Sequence, residues 1–373
     1  MKFSCTKSDL LEAISYTQRA VSTRSTMAVL EGILVEVSDV VKLTGYDTEI
    51  GIEATVMADI RESGTIVINS KIFGDIVRKL PDELVVLHTE DRNTVVIECG
   101  RSKFQIKGLD AESFPSLPEV KEEIKLVLPQ AMLKEMIRQT IFAASTDEAR
   151  PNLNCAYLVS QADELEMVAI DGFRLALRRF KRDSEDEKQK EAWPDASFII
   201  QAKALREINS MIRDTGIVSI FSSDNSILFD LGNVRLVSRL IQGQYMNYQS
   251  IIPTSEQTHM NVETRKLQNA FERSLLMISA ENNRFPVTIT TPDEETLFLD
   301  VATVRGTLHE EIEVGVSGRL IDCDFNPRFF LDALRVIDDE RIVLSFKGDV
   351  GPCVIRAEEN EDKFAFIVLP LRK

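Results

Sequence analysis

Several features that mark particular protein classes are missing from this sequence of 373 residues. No apolar run reaches the roughly 20 residues of a membrane span, and the opening segment MKFSCTKSDLLEA lacks the apolar core of a signal peptide. The five cysteines are isolated in the sequence, odd in number and without a CxxC pair. We therefore expect a cytoplasmic protein with reduced thiols, no zinc site and no disulfide framework.

Motifs that carry catalysis or cofactor binding are missing as well. The sequence contains no Walker A loop, GxGxxG, GxSxG or HExxH. We interpret His88, His259 and His309 as ordinary surface or strand residues, because adjacent carboxylates such as Glu310 and Glu311 do not by themselves make a set of metal ligands. The pair Asp338 and Asp339 is interpreted as a helix-ending turn. These residues give catalysis no positive support, and we expect neither a metal nor a cofactor.

An order of helix, strands, helix and strands occurs three times, at intervals of about 125 residues. Apolar residues at helical spacing predict six helices, at 7–22, 70–81, 129–145, 201–214, 263–280 and 326–337. β-branched runs such as GILVEV and RLALRRF alternate with turn residues, which predicts antiparallel hairpins. We therefore predict an α+β fold of three repeated domains. Their boundaries are placed at 1–120, 121–254 and 255–373.

Three local features refine this prediction. We expect Pro129 in the first turn of its helix, where the missing N–H costs nothing. Ser70 and Asn326 are expected to cap the helices that follow them. The stretch KRDSEDEKQKEAWPD at 181–195 is almost entirely charged, which indicates a solvated loop.

The net charge of −16, from 44 Lys and Arg against 60 Asp and Glu, argues at first against a nucleic acid partner. The charge is unevenly distributed, however. The six predicted helices hold 15 basic and 9 acidic residues, so the rest of the chain carries a net charge of −22. Two interpretations remain open: an ordinary solvated helix surface, or a basic surface that attracts the phosphates of a polyanion independently of base sequence.

The sequence resembles the bacterial DNA polymerase III beta subunit, the sliding clamp family. The resemblance extends from MKF to LPLRK and rests on the threefold repeat and on matches such as LTGYDTEI, GRSKFQIKGLDAESFPSLP, STDEARPNLN and AIDGFRLAL. Members of this family are head-to-tail homodimers that form closed rings, with helices inside and antiparallel sheets outside. The resemblance implies a processivity factor that encircles duplex DNA of any sequence.

The resemblance also assigns DNA-binding residues. Arg24 in VSTRST matches a DNA-contacting loop position, Lys203 a helix position that faces DNA, and Arg150 a loop close to DNA. Further cations are added by charge alone, because they recur on one face of each predicted helix. These are Lys71, Arg78, Lys134, Arg138, Arg206, Arg265, Arg273, Arg328 and Arg335.

In the same family, a hydrophobic pocket between the second and third domains binds short peptide motifs of partner proteins. The implied partners are the DNA polymerase III alpha subunit, the clamp loader complex and other proteins with a clamp-binding motif. The tail FIVLPLR is apolar to within two residues of the end, although chain ends are usually polar. The pocket positions carried over are Leu153, Ile170, Gly172, Phe173, Arg174, Leu175, Met246, Ile251, Val350, Pro352, Ile367, Val368, Leu369, Pro370, Leu371 and Arg372.

Three of the neighbouring positions depart from common family residues. Met246 stands where a proline is common, Phe173 where histidine is frequent, and Ser250 where some members have arginine. Methionine and phenylalanine should make the pocket more apolar and more adaptable. The departures leave open which peptide sequence is preferred.

The dimer seam is also implied by the resemblance. Phe104 and Ile106 in KFQIKG match one side of the seam, and Leu276 and Met277 the other. Pairing two exposed edge strands across the seam would remove both edges. Two other function classes are kept as alternatives: an enzyme with a small-molecule site at a domain junction, and a β-rich scaffold protein that binds through its outer sheet.

Overall fold

The structure is a computed structural model, and it describes residues 1–22, 25–121, 123–147, 149–182, 192–253, 255–278 and 286–371. Helices and antiparallel sheets both occur, as the predicted α+β class requires. None of the helices in the described ranges is long and apolar enough to cross a membrane. All five cysteines are buried as free thiols.

Each of the six predicted helices is confirmed within the described residues. They are α1 (Lys7–Thr17), α2 (Ser70–Lys79), α3 (Gln130–Arg138), α4 (Ala202–Met211), α5 (Thr264–Met277) and α6 (Pro327–Leu334). The predicted windows were too long, chiefly at the C-terminal ends. After α1 and α3 the chain continues as 3-10 turns at Gln18–Ala20 and Ile141–Ala143, because last turns often tighten to satisfy free carbonyl groups.

Two of the three expected local features were wrong or partly wrong. The Asn69 side chain, not that of Ser70, caps α2 by accepting the Ile72 N–H at 3.1 Å. Asn326 caps α6 as expected and accepts the Arg328 N–H at 3.0 Å. Pro129 ends a strand instead of starting α3. The strand lies at the edge of its sheet, where proline is tolerated because the missing N–H can face away from the sheet.

The contacts divide the chain into two compact units, Met1–Met132 with Arg206–Leu240 and Leu133–Leu205 with Ile241–Lys373. Unit 1 contains two antiparallel sheets within the described residues. One has the order β5-β1-β7-β8-β9, with strands Asp59–Glu62, Lys2–Thr6, Leu84–Glu90, Thr94–Cys99 and Ser102–Lys107. The other has the order β10-β15-β16-β17-β4-β3-β2-β6, with strands Ile124–Pro129, Ile217–Ser223, Ser226–Asp230, Val234–Arg239, Ile50–Val56, Val41–Tyr46, Gly32–Val37 and Gly64–Asn69.

Unit 2 likewise contains two antiparallel sheets in the part of the chain that the structure describes. The larger has the order β14-β11-β12-β13-β26-β25-β24-β18-β22, with strands Ala196–Gln201, Cys155–Gln161, Glu164–Ile170, Arg174–Lys181, Phe364–Val368, Cys353–Ala357, Arg341–Phe346, Thr258–Glu263 and Gly315–Gly318. The smaller has the order β21-β20-β19-β23, with strands Gly306–Glu313, Thr296–Thr303, Val287–Thr290 and Asp322–Phe325.

The repeated copies share sheets within each unit. In unit 1, β17 of the second copy pairs with β4 of the first, with Leu236 opposite Ile52. In unit 2, β13 of the second copy pairs with β26 of the third, with Leu175 opposite Ile367. Contacts therefore group the strands by shared sheet and not by copy, and the domain boundaries at 120/121 and 254/255 stay predictions.

The helices bury the apolar faces that their sequence periodicity indicates. In unit 1, Leu10 and Ile14 of α1 and Phe73 of α2 are fully buried where these helices pack together. In unit 2, the rings of Phe271 on α5 and Phe330 on α6 stack with centroids 4.8 Å apart. Each such side chain contributes about 1.5–3 kcal/mol through burial. Of the expected charged loop at 181–195, residues 183–191 lie outside the described residues.

Candidate functional site

The cations predicted to contact DNA lie on exposed helix faces and loops. Arg24 lies outside the described residues. Lys134 and Arg138 on α3 are half-buried, and the other predicted cations are exposed: Lys71, Arg78, Arg150, Lys203, Arg206, Arg265, Arg273, Arg328 and Arg335. Exposed cations on several helices can meet phosphates without any geometry for reading bases. The burial pattern agrees with a polyanion surface and equally with an ordinary solvated helix face.

Several of these cations form ion pairs with acidic side chains. Arg78 lies 3.0 Å from Asp75 on the same helix. The Arg138 guanidinium donates two hydrogen bonds to the carboxylate of Asp338, which holds the pKa of that carboxyl below its usual range. Exposed pairs of this kind contribute only about 0.2–1 kcal/mol, so a phosphate can replace the carboxylate at little cost.

Two further cations are paired with acidic residues that are distant in the sequence. Arg273 binds Glu310 through two nitrogen atoms. Arg335, directly after α6, lies 3.5 Å from Glu272 on α5. Sequence reasoning missed these partners, because the pairs form only when α5 packs beside β21 and α6. The Asp75 pair, in contrast, was readable from its spacing of three residues.

The residues predicted for a peptide pocket form two neighbouring groups in unit 2. Five of them, Leu153, Ile170, Leu175, Ile251 and Ile367, belong to one apolar cluster. We call this the linker cluster, because Tyr245, Tyr248, Ile251 and Ile252, from the segment between β17 and β18, belong to it together with residues of β12, β13, β25 and β26. Peptide-binding pockets need such an apolar floor with a few polar groups at the edge.

Three tyrosines complete the linker cluster and were missed by sequence reasoning. The rings of Tyr157 and Tyr245 stack with centroids 4.8 Å apart, and Tyr248 is buried beside them. The Tyr248 hydroxyl donates to the carboxylate of Glu166, which also accepts Arg179 Nη2 at 2.7 Å. Burial, together with this hydrogen bond, raises the pKa of Tyr248 well above its ordinary value. The signal available in the sequence was the pair of tyrosines in YMNYQSIIP.

The second group surrounds a cavity of about 830 Å³ beside the C-terminal tail. Val350, Leu369, Pro370 and Leu371 line it, and Val350 is 92% exposed. The cavity, which we call the tail cavity, also has three acidic lining residues: Asp322, Asp324 and Asp349. The predicted Arg372 lies outside the described residues.

Backbone hydrogen bonds hold the tail in place. The Leu369 N–H donates to the Phe173 carbonyl at 2.9 Å, and the Leu371 N–H donates to the Asp324 carbonyl at 2.7 Å. Val368 is buried in β26, so it supports the strand and does not line the tail cavity. The tail therefore runs from the linker cluster at Ile367 directly into the tail cavity.

The turn at Asp171 and Gly172 presents the exposed aromatic side chain of Phe173. Gly172 has a φ of 95°, a conformation that side chains with a Cβ rarely adopt. The Asp171 carboxylate accepts the N–H groups of Phe173 at 2.9 Å and of Arg174 at 3.1 Å. Phe173 is 58% exposed, and its ring lies 6.3 Å from that of Phe329. The turn thus fixes an exposed apolar side chain beside the tail.

Arg174 has a different environment from its predicted neighbours. Its side chain is only 12% exposed and lies 3.0 Å from Asp171 and 2.6 Å from Asp332. The guanidinium also lies 4.6 Å from the centre of the Phe329 ring. Arg174 therefore ties the turn to α6 and orients it.

The remaining predicted pocket residues lie at the edges of this region. Met246 is exposed on the segment after β17, and Pro352 is half-buried before β25. Ser250 is exposed, and its hydroxyl donates to the Asn247 carbonyl at 2.8 Å. Neither Met246 nor Pro352 belongs to the linker cluster or lines the tail cavity.

The residues predicted for a dimer seam lie at exposed places in separate units. In unit 1, Phe104 and Ile106 lie on β9, the edge strand of the five-stranded sheet, where Phe104 is exposed and Ile106 is half-buried. In unit 2, Leu276 at the end of α5 is 82% exposed, and Met277 is half-buried. Strand β21, which α5 contacts, is one of the two edge strands of the four-stranded sheet. Both units therefore present an edge strand with exposed apolar side chains nearby.

The two edge strands carry opposite charges. Strand β9 holds Lys103 and Lys107, and the end of β21 holds Glu310, Glu311 and Glu313. Opposite charges favour pairing between two such edges and like charges disfavour it.

On β21, His309 lies 2.7 Å from Asp300, and this hydrogen bond raises the pKa of the imidazole. Among the residues that the structure describes, no group of three or more His, Cys, Asp or Glu is placed to hold a metal ion.

Comparison with known proteins identifies the family. Three family models match consecutive parts of the chain: the N-terminal domain of the DNA polymerase III beta subunit at residues 1–118, its central domain at 127–247 and its C-terminal domain at 249–372. The beta sliding clamp of Bacillus subtilis (strain 168) is 32% identical over 383 residues, covering 100% of both chains. That of Staphylococcus aureus (strain N315) is 30% identical, covering 100% of this chain and 99% of the relative.

Solved structures agree with the sequence relatives. A putative DNA polymerase III beta subunit from Eubacterium rectale superposes with a TM-score of 0.93 at 32% identity, covering 100% of both chains. The DNA polymerase sliding clamp from Bacillus subtilis gives a TM-score of 0.92 at 31% identity, covering 100% of this chain and 99% of that chain. The resemblance seen in the sequence is thus confirmed: this chain belongs to the bacterial DNA polymerase III beta subunit family, the beta sliding clamps.

Proposed function

We propose that this chain is a DNA sliding clamp that closes around duplex DNA as a head-to-tail dimer and works in the cytoplasm. It acts as a processivity factor, without catalysis of its own, and tethers a replicative polymerase to the template. The observation that carries this proposal is the match of three clamp domain models along almost the whole chain. This match favours a clamp over the two alternatives, a junction-site enzyme and a β-rich scaffold.

The charge distribution supports holding DNA by enclosure. Exposed helix cations such as Lys71, Arg206 and Arg265 attract phosphates of any sequence, while the body of the chain is acidic. Carboxylates paired with Arg78, Arg138 and Arg273 compete with the phosphates and weaken each contact. Weak, sequence-independent contacts allow sliding, so retention has to come from a closed ring.

Ring closure would use the two edge strands. A head-to-tail contact joins two different surfaces of the chain. It gives a closed ring only if the rotation between copies brings the free surface of the last copy onto the free surface of the first. Strand β9 of one copy, with Lys103 and Lys107, is complementary in charge to β21 of the other, with Glu311 and Glu313. Phe104 and Leu276 supply exposed apolar side chains beside these edges. Two copies would thereby cover both edges.

Partner docking would use the linker cluster and the tail cavity together. Exposed Phe173 and Val350 and the partly exposed tail leave apolar surface for a short peptide to cover. The expected partners are the DNA polymerase III alpha subunit, the clamp loader complex and other proteins with a clamp-binding motif. Leu175→Ala combined with truncation before Leu369 should abolish binding of polymerase peptides and leave the dimer intact. Normal peptide binding by this variant would contradict the assignment.

The enclosure mechanism is tested by DNA topology. The chain is loaded onto nicked circular DNA by a bacterial clamp loader, and the complex is isolated by gel filtration. We expect it to remain on the circle and to leave after the same DNA is cut once by a restriction enzyme. Linear DNA with streptavidin bound at both ends serves as the control and should retain the protein. Equal rates of loss from the circular and the open linear DNA would refute enclosure.

A further inference from the structure

Unit 1 contains a cavity of about 890 Å³ at the place where β17 of the second copy pairs with β4 of the first. Strands β3 and β4 contribute Thr44 and Glu53 to its wall, and β17 contributes Val237. Residues 114–120, from the segment between β9 and β10, line it as well. Its volume lies within the range of ligand pockets, about 300–1,000 Å³. We call it the unit 1 cavity.

The equivalent place in unit 2 is apolar. In both units the last strand of one copy pairs with the third strand that follows the first helix of another copy. In unit 2 the fourth residue of that third strand, Leu177, lies opposite Ala365, and both belong to the linker cluster. In unit 1 the residues at the same two strand positions are Glu53 and Arg235, and both line the cavity. The repeat therefore provides an apolar site in unit 2 and a charged site in unit 1.

Two glutamates of the unit 1 cavity share one lysine. Lys42 Nζ lies 3.2 Å from Glu36 and 3.3 Å from Glu53, and all three residues line the cavity. The second ion pair of the wall joins Arg235 Nε to Asp230 at 2.9 Å. The one ammonium of Lys42 thus has two carboxylates to offset.

Two further carboxylates add to this charge. Glu112 and Glu119 line the cavity and are exposed, and in the part of the chain that the structure describes neither forms an ion pair. Lys125 lies nearby, with its ammonium 5.7 Å from the centre of the lining Phe221 ring. Even with this lysine, the cavity has five carboxylates and three cations. It therefore favours a cationic ligand and disfavours an anionic one.

A buried hydroxyl of the same wall lacks a partner. Thr44 is only 3% exposed, and within the described residues its Oγ1 takes part in no hydrogen bond. Its neighbours across the sheet are Leu34 on β2 and Glu53 on β4. Buried polar groups normally have a hydrogen-bond partner, since leaving one unpaired costs free energy. A ligand in the cavity can supply the missing partner.

The floor of the cavity requires an apolar group beside the cation. Phe114 and Leu117 are half-buried and pack against the buried cluster that contains Tyr46. Covering their remaining surface is favourable. Arginine suits the wall, because its planar guanidinium can donate to two carboxylates at once. A peptide segment carries both groups in adjacent residues, whereas the phosphates of a nucleic acid are repelled.

We propose that the unit 1 cavity binds a short segment of a partner protein in which an arginine stands next to apolar side chains. The guanidinium binds Glu36 and Glu53, an apolar side chain covers Phe114 and Leu117, and the Thr44 hydroxyl bonds to the peptide backbone. This site is additional to the docking region proposed in unit 2 and does not depend on it.

The test uses fluorescent peptides measured by polarisation at low salt. Each peptide is Gly-Ser-Leu-X-Phe-Ser-Gly or has leucine and phenylalanine exchanged, with arginine, norleucine or glutamate at X. In the better order, we expect arginine to bind about five- to tenfold more tightly than norleucine, since screened ion pairs contribute modestly. Glutamate should bind more weakly than norleucine. At about 1 M salt the arginine advantage should disappear.

Variants of the wall locate the charge preference. Glu36→Gln with Glu53→Gln leaves the ammonium of Lys42 without either carboxylate, so the glutamate peptide should then bind at least as tightly as the arginine peptide. The matched control is Glu62→Gln with Glu83→Gln, two exposed glutamates of unit 1 outside the cavity, and it should keep the arginine advantage.

Thr44→Val tests the hydroxyl, because valine keeps nearly the same shape. It should weaken binding of all the peptides about three- to tenfold, the effect of one hydrogen bond. The thermal midpoint of the variant should be equal or higher, since a buried hydroxyl without a partner is removed. A purely structural role would instead lower the midpoint and leave binding unchanged.

Hydrogen exchange identifies the occupied site and separates this inference from docking in unit 2. Exchange of residues 111–120 should slow when the arginine peptide is bound, also in Leu175→Ala truncated before Leu369. Protection confined to unit 2 and lost in that variant would assign the peptides to the docking region and overturn the inference. Equal binding of arginine and norleucine peptides, or no binding at all, would overturn it as well and leave docking in unit 2 standing.

Discussion

The hydroxyl of Tyr248 offers a sharp test of how the linker cluster is held. It donates to the buried carboxylate of Glu166, which otherwise accepts Arg179 Nε at 3.1 Å and Nη2 at 2.7 Å. Tyr248→Phe keeps the ring in the cluster and removes this donor. A hydrogen bond to a charged group contributes about 1.5–3 kcal/mol. Because Glu166 is buried, we expect Tyr248→Phe to lower the free energy of local unfolding by an amount in this range.

The matched control is Tyr245→Phe. The Tyr245 hydroxyl lies 3.5 Å from the Val168 carbonyl, which is too long for a strong bond, and its ring stacks on Tyr157. Removing this hydroxyl should cost well under about 1 kcal/mol. The two variants differ only in which hydroxyl is lost, so the comparison separates the Glu166 bond from packing of the rings.

Native-state hydrogen exchange is the suitable assay, because a chain with two units need not unfold in one step. Amides of β12 and β13 that exchange by local opening should exchange about ten- to a hundredfold faster in Tyr248→Phe. Amides of unit 1 should be unaffected. A change below about twofold at β12 and β13, or an equal effect of Tyr245→Phe, would refute the reasoning.

The proposed seam residues, His309 and Gly172 each allow a further test. The double variant Phe104→Ala, Leu276→Ala should raise the dissociation constant of the proposed dimer, measured by sedimentation, at least about tenfold, because both substitutions remove exposed apolar surface at the seam. An unchanged dissociation constant would exclude Phe104 and Leu276 from the seam. NMR titration should show the pKa of His309 above its ordinary value and returned towards it by Asp300→Asn. Because the pKa of His309 is raised in the folded chain, its contribution to stability is fully present below the pKa of the unfolded chain and is lost as the pH rises through the pKa of the folded chain. A His309 resonance that titrates at the ordinary pKa would contradict the raised value. Gly172→Ala should lower the thermal midpoint with a cost of about 1–2 kcal/mol, because φ is 95° there, and Gly172→Asn should cost less; equal midpoints would refute the strain.

The helices were predictable because their signal is local. Leu10 with Ile14 and Phe73 with Val77 recur at the spacing of one helical turn, and all four are buried as that spacing indicates. The errors were also local in scale: Asn69 instead of Ser70 caps α2, and Pro129 ends β10. Cap and proline positions depend on where the preceding strand stops, which residue types alone do not decide.

The candidate site was predictable in part. The resemblance selected Leu153, Ile170, Leu175, Ile251 and Ile367, and these five meet in one cluster. The buried network of Glu166, Arg179 and Tyr248 was not predicted, because Tyr248 lies on a linker 82 residues after Glu166. No spacing rule links such residues.

By itself, the sequence determined the class, the threefold repeat, the six helices and the family, because periodicity and repeated motifs survive without knowledge of contacts. Only the tertiary structure decided which charges meet. Arg138 and Asp338 are 200 residues apart in the sequence and form an ion pair with two hydrogen bonds. Asp324 and Asp349 line one cavity together with the tail. Pairing in an antiparallel sheet brings distant strands within a few ångströms, so the electrostatics of a site built on several strands is a property of the fold.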